Sequence, residues 1–309
     1  MEIFHDLNNP AAYSSLQNIY REVKKKRPDA TLKQVRALLE ADPAFTRHKP
    51  FRRKFLRNRV IATSMDSDWQ MDLCDMRSLK TRNSGYTYIL TVIDVLSKFG
   101  WAVPIKKKTC DAVVAAMEKI FESTDRRPQR VFHDRGKEFM GAPFKEFLKK
   151  HGIKQIYSTN DTTKASLAER YNRTLKTRLW KYFTHTGKKR YVEVLPKLAD
   201  AINKTKHRAT KMAPIDVNYD NQFEVWDRLY KKDLELKSEF RFEIGDLVRV
   251  PVKHTVFKKG YEANFSADVY QIVDRIARIP PVYMVADKNG KKVRQKFYEH
   301  ELAKVREKL

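Results

Sequence analysis

Cysteine is nearly missing from this chain of 309 residues: Cys74 and Cys110 are the two it has. Two thiols build neither a disulfide framework nor a cysteine-rich zinc module. Long apolar runs are missing as well. The longest, Tyr86 to Leu96, is short for a bilayer and is interrupted by Asp94, so no membrane partner is expected. The first thirty residues contain no apolar signal-peptide core, and an intracellular protein is the expectation. Acidic charge is scarce against basic, with 38 Asp+Glu facing 64 Lys+Arg and a formal net charge of +26. Such an excess fits a phosphate-rich partner, although a merely soluble basic protein would share it. Hydrophobic residues at 41% suit a globular chain rather than a disordered one. The length allows two or three domains.

Leu16, Ile19, Tyr20 and Val23 recur at helical spacing, and Lys24 to Arg27 follow where cations complement the helix dipole. Thr31 and Gln34 form a capping-box signature for a second helix with Val35, Leu38 and Leu39. The pair reads as a small N-terminal helical domain (1–46), as compatible with a helix-turn-helix as with a plain hairpin. A basic arm follows (47–66): Arg47 to Arg59 holds seven Lys/Arg and no acid. Arg52, Arg53 and Lys54 are its candidate phosphate contacts. An import signal or a solvated linker fits the same composition.

Strand patterns at Trp69–Met76, Gly85–Val95, Trp101–Ile105, Gln129–His133 and Ile153–Tyr157 come first singly, then between helical patterns. The helical patterns lie at Cys110–Phe121, around Phe144–Leu148, at Ser166–Tyr182, at Tyr191–Thr205 and briefly at 224–230. That order describes a mixed α/β domain (67–230). A charged linker (231–239) leads to alternating stretches at 245–252, 269–273 and 282–285, with a hairpin signal at Asp287–Gly290. Five short strands here suggest a small β-barrel (240–309).

Three acids stand out. Asp72 lies between Met71 and Leu73 in a strand, where a charge is costly unless compensated. Asp134 ends another strand, and Gly136 behind it permits a tight turn. Glu169 lies early in a helix, with Asn172, Arg173 and Lys176 on its face at i+3, i+4 and i+7. Ala168, Tyr171, Leu175 and Leu179 take another side and can pack on a sheet. Three carboxylates on separate elements can hold two metal ions that activate a nucleophile and stabilise the leaving oxygen of a phosphodiester. An ordinary solvated face with a structural ion pair is the plain alternative, and spacing alone does not separate the two.

W-Q-M-D-L (69–73), V-F-H-D-R-G-K-E-F (131–139) and A-E-R-Y-N-R-T-L-K (168–176) resemble the three signatures of the retroviral-type DDE integrase core. The resemblance extends to A-P-I-D-V (213–217) and G-D-L-V-R-V (245–250). H-K-P-F-R-R-K-F (48–55) and Y-T-Y-I-L-T-V-I-D-V-L-S-K-F (86–99) are similar in particular to integrases of Maverick/Polinton transposons and virophages.

The resemblance implies an α/β RNase H-like core, with a mixed five-stranded sheet and helices. It adds a small N-terminal helical domain and a C-terminal SH3-like or chromodomain-like β-barrel. The activity implied is metal-dependent trimming of element or viral DNA ends and transfer of the new 3′-hydroxyl into target DNA. Asp72, Asp134 and Glu169 would be catalytic and would bind two Mg²⁺ or Mn²⁺. Lys164, Asn172, Arg173 and Lys176 would contact DNA, with the loop Asn160–Ala165 beside the site. The implied partners are terminal-repeat DNA ends, target DNA and further copies of the chain in a dimer or tetramer, and the barrel is a candidate for chromatin contact. Action would be nuclear, with carriage in virions a further expectation. Alternatives are a catalytically inactive integrase-derived DNA-binding or assembly protein, and a cut-and-paste transposase. One departure stands out: retroviral integrases carry an N-terminal His-His-Cys-Cys zinc module, whereas here His5 and His48 precede Trp69 without a cysteine. No zinc is expected. Cys74 reads as packing, and Asp75, His133 and Glu138 as neighbours of the acids.

Overall fold

The computed structural model describes every residue except 1, 53, 54, 56, 59, 158–165, 236–237, 253–260 and 307–309. The chain begins with α1 (Glu2–His5), α2 (Leu16–Lys26), α3 (Leu32–Leu39) and α4 (Pro43–Arg47). Then come β1 (Asp68–Asp75), β2 (Tyr88–Asp94), β3 (Gly100–Ile105), α5 (Cys110–Ser123) and β4 (Arg130–His133). These are followed by α6 (Lys137–Met140), α7 (Ala142–Lys150), β5 (Lys154–Tyr157), α8 (Ser166–Thr186), α9 (Leu195–Asn203) and α10 (Gln222–Glu235). Last are β6 (Leu247–Arg249), β7 (Tyr270–Ile276), β8 (Val282–Ala286), β9 (Phe297–Tyr298) and β10 (Ala303–Val305). Two compact units result: Arg59–Leu236, and Met1–Asn58 together with Lys237–Leu309.

In the first unit the sheet runs β3-β2-β1-β4-β5. β1 is antiparallel to β2 and parallel to β4, so the sheet is mixed and β1 is central. Side chains alternate across a strand. Trp69, Met71 and Leu73 accordingly enter the core beneath α5 and α7, with Val113, Met117, Phe144 and Phe147. Cys74 enters the core on the other face, with Ala168, Tyr171, Leu175 and Leu179 of α8. Gly100 is needed for that packing: a Cβ there would lie 2.4 Å from the Tyr171 ring. Helices cover both faces of a mixed five-stranded sheet, the expected RNase H-like arrangement. α10 runs past Tyr230, where the sequence pattern suggests it ends. The i,i+4 pairs Arg228–Glu224 and Lys231–Asp227 continue its polar side, and Val225 and Tyr230 are buried.

In the second unit the Thr31–Gln34 capping box forms as expected. Asp42 caps the additional helix α4 by accepting from the Ala44 and Phe45 N–H groups. The strands pair in the order β10-β6-β7-β8-β9, all antiparallel, as a curled SH3-like sheet over Phe242, Val248, Ile272 and Tyr283. The basic arm is seated on this sheet, because Phe51 meets Phe265 and Phe55 meets Tyr298 edge-on. Arg249 Nε donates to Thr46 Oγ1 at 3.0 Å and the Arg306 N–H to the Glu40 carbonyl at 3.0 Å. The first and last segments of the chain thus share one unit.

Candidate active site

Alternate residues of β1 meet successive turns of α8. Gln70, 1% exposed, accepts from the Leu167 N–H at 3.0 Å and the Ala168 N–H at 3.4 Å. It thereby satisfies two of the amides that a helix start leaves unpaired. Two residues on, Asp72 Oδ2 accepts from Asn172 Nδ2 at 2.8 Å, and Oδ1 accepts from the Leu73 N–H at 2.8 Å. Two further on, buried Cys74 lies against the Lys176 ammonium. The period of two on the strand and the near-four period of the helix bring these pairs into register, with Glu169 one turn before Asn172. Asp72, Cys74, Asp75, Glu169, Asn172, Arg173 and Lys176 line a cleft of about 440 Å³.

Asn172 is oriented from beneath. Thr91 lies opposite Asp72 in β2 and is fully buried; its hydroxyl donates to Asn172 Oδ1 at 2.6 Å. That leaves the amide nitrogen to face Asp72. Asp134, at the end of β4, accepts from the Gly136 N–H at 3.0 Å. Behind it His133 is buried against Phe139, with Nδ1 at the Asp134 carbonyl and Nε2 2.9 Å from Gln155 Nε2. A carbonyl can only accept and the Gln155 amide donates, so the ring is neutral with its proton on Nδ1. Burial lowers its pKa, in keeping with that state. His133 therefore stiffens the strand end and does not face the cleft. Glu138 is buried and paired with Lys108 at 3.2 Å.

The Asp72 carboxyl is pushed up to about 6 from 3.8, first by burial and then by the negative charges of Asp134 and Glu169. The Leu73 N–H and the Asn172 amide pull the other way. The three acids therefore share one electrostatic field. Hard carboxylate oxygens under mutual repulsion suit a divalent cation such as Mg²⁺ or Mn²⁺. Among the described residues, however, no three His, Cys, Asp or Glu side chains are grouped closely enough to hold a metal ion. Asp134 and Glu169 are both exposed, so their side chains can turn toward an ion without unpacking the core. The donor chemistry fits; the full convergence is absent from this conformation.

Of the residues singled out in the sequence, Asp72, Glu169, Asn172, Arg173 and Lys176 line one cleft, and Asp134 is close enough to perturb Asp72. Lys164 and the rest of the 160–165 loop, Arg53 and Lys54 lie outside the described residues. Arg52 is exposed and belongs to the other unit. Gln70, Thr91 and Lys108 were not singled out. The signal for the first two was polarity in apolar strands: Gln70 shares the Asp72 side of β1, and Thr91 interrupts I-L-T-V-I.

Residues 62–162 match the integrase core domain family. The chain is 33% identical over 196 residues to a putative uncharacterized transposon-derived protein of Caenorhabditis elegans, covering 63% of this chain and 65% of that protein. It is 29% identical over 133 residues to the Pro-Pol polyprotein of simian foamy virus type 3, covering 43% of this chain and 11% of the polyprotein. The chain thus spans less than two thirds of the length of either relative. A protein in the simian T-cell lymphotropic virus intasome, solved in complex with PP2A regulatory subunit B56 gamma, superimposes with a TM-score of 0.65 at 14% identity. That match covers 98% of this chain and 97% of the other and establishes a shared fold.

Proposed function

We propose that this protein is a DNA integrase, a polynucleotidyl transferase that trims the ends of an element and joins the resulting 3′-hydroxyl to target DNA. The observation that carries this reading is Asp72. It is a partly buried carboxylate raised to about 6 beside two other acids, and it accepts hydrogen bonds from the Asn172 amide and the Leu73 N–H. The match of residues 62–162 to the integrase core domain supports it.

Asp72, Asp134 and Glu169 would hold Mg²⁺ or Mn²⁺, which when bound supplies polarisation of the phosphate and an acidified water or hydroxyl. The chain's own residues do the rest. Gln70 fixes the start of α8 and so the place of Glu169. Thr91 and Asn172 fix the Asp72 carboxylate in one orientation. Arg173 and Lys176, with Lys164 and the arm residues Arg52, Arg53 and Lys54, bind DNA phosphates. In the joining step the 3′-oxygen of the element end attacks a target phosphorus as the target's own 3′-oxygen leaves with its electron pair. On this reading the protein works as a dimer or tetramer in the nucleus, in an element of the Maverick/Polinton or virophage kind, and its barrel is a candidate chromatin contact.

The test is joining of a terminal-repeat duplex to target DNA with Mg²⁺. Asp72→Asn, Asp134→Asn and Glu169→Gln should each lose on the order of a thousandfold or more, with DNA affinity within about twofold. Retained joining in one variant removes that residue from the mechanism. A second reading, an integrase-derived DNA-binding protein without activity, is favoured by the lack of a grouped triad among the described residues. It predicts no joining by the wild type.

A further inference from the structure

From Arg170 to Arg190 the chain holds eight Lys/Arg and no Asp or Glu. Most of this stretch is α8, whose buried stripe is Ala168, Tyr171, Leu175, Leu179 and Phe183. On the outer side Arg173, Thr177, Trp180 and Thr184 recur at the spacing of one helical face, in line with Glu169. Trp180 is 48% exposed. It stands among Lys176, Lys181 and His185 in an open depression of about 690 Å³. Lys176 and Thr177 line both this depression and the acid cleft, so the two are continuous.

Just past the helix, Arg82, Lys188, Lys189 and Arg190 surround a polar depression of about 620 Å³. Its frame is rigid. Asn83, 3% exposed, donates to the Leu79 and Lys189 carbonyls at 2.9 Å and accepts from the Tyr191 N–H at 2.7 Å. One buried amide thus ties the two segments that carry the cations. Arg190 pairs with Glu193 at 2.7 Å, while Arg82, Lys188 and Lys189 show no ion pair among the described residues. Like charges held in a fixed frame repel one another unless a polyanion spans them.

We propose that the outer face of α8 and this platform form one track for the phosphate backbone of duplex DNA, leading from the acid cleft to a second contact. At about 1.5 Å per residue, Glu169 and Thr186 are about 25 Å apart along the helix. A duplex advancing about 3.4 Å per base pair covers that length in roughly seven base pairs. Trp180, between lysines, offers a flat face to a sugar or an unpaired base. The lack of any Asp or Glu from Arg170 to Arg190, with Glu193 beside Arg190 as the acid at the far end, matches a nucleic acid better than a protein surface, which would bring charges of both signs. The inference rests on the integrase reading for what sits in the cleft, but its test reads binding and needs no joining.

The experiment uses the full chain and a hairpin-closed duplex of about 20 base pairs with one open end. Its phosphates are neutralised as methylphosphonates either at roughly six to eight base pairs from that end or elsewhere. The variant is Arg82→Ala/Lys188→Ala/Lys189→Ala, with its fold checked by circular dichroism and its affinity followed across salt concentrations. The variant should bind about tenfold more weakly. Its salt slope should be shallower by about 2 to 3, since each phosphate contact contributes about 0.9. Neutralising the phosphates at that distance should weaken the wild type several-fold and leave the variant unaffected. Trp180→Ala should bind more weakly with an unchanged slope. Equal sensitivity of variant and wild type to that neutralisation overturns the track. So does intact DNA binding accompanied by lost self-association, which makes the platform a protein interface. A wild type that shows the expected binding yet joins no ends sinks the integrase reading and leaves the track standing.

Discussion

Two acid clusters meet on strand β1 and are treated in opposite ways. At one end, Asp66, Asp68 and Asp94 are almost fully buried. Arg126 reaches Asp66 at 2.7 Å and Asp94 at 3.1 Å, Arg130 meets Asp68 at 2.6 Å, and Trp69 Nε1 donates to Asp66 at 2.8 Å. Arg126 also lies over the Phe99 and Trp101 rings. Here the chain supplies its own counter-charge and the acids are structural. Further along β1, Asp72 is more exposed and meets an amide instead of a guanidinium, with two more acids nearby. Burial alone therefore does not mark a functional acid in this sheet. What marks it is a carboxylate whose counter-charge must come from outside.

Removing the internal counter-charge should have the largest effect on stability. Arg126→Met leaves two buried carboxylates unpaired and should destabilise the fold by about 3–5 kcal/mol, read as a lower denaturant midpoint in the presence or absence of Mg²⁺. A loss below about 1 kcal/mol would mean that the guanidinium is not what keeps Asp66 and Asp94 tolerable, and the contrast between the clusters would collapse.

The converse change, at Asp72, should be smaller and opposite in sign. Its folded pKa lies above the unfolded value, so the folded state binds this proton more tightly. The stability it contributes is complete below about 4 and is lost as pH rises through about 6. Asp72→Asn removes that loss but offers one acceptor where the carboxylate offers two, to the Leu73 N–H and the Asn172 amide. In chelator, the variant should gain on the order of 1–2 kcal/mol at pH 8 and gain nothing at pH 4. Mg²⁺ should raise the midpoint of the wild type and not of the variant. Parallel pH curves for the two proteins would show that Asp72 is under no electrostatic strain.

The sequence made the acids legible because an aspartate in an apolar strand is expensive, and it made the faces of α8 legible because helical spacing sorts them. It did not distinguish Asp72 from Asp94, which stands between Ile93 and Val95, or from Asp68 beside Trp69. That distinction depends on Arg126 and Arg130, brought back by the crossover through α5. Gln70 and Thr91 were hidden for a related reason. Their partners, the first amides of α8 for Gln70 and the Asn172 side chain for Thr91, lie 97 and 81 residues further along the chain. The pairing of the N-terminal helices with the terminal barrel rests on contacts such as Arg306 with Glu40, which no periodicity encodes.

Asp75 supplies the smallest effect and the sharpest control, because it ends the same strand but stands in solvent. Its carboxyl is held below the usual range, chiefly by the Arg77 side chain, which donates to it at 2.6 and 2.9 Å. The sign is therefore opposite to that of Asp72: any stability it adds is present above the unfolded value near 4 and fades as pH falls. Both partners are well exposed, so solvent and salt screen the pair. Asp75→Asn should leave the denaturant midpoint at pH 8 unchanged within error in about 0.15 M salt, with or without Mg²⁺. Were it to stabilise the protein as Asp72→Asn does, the strain would belong to the general density of acid on β1, and the cleft would lose its claim to a cation of its own.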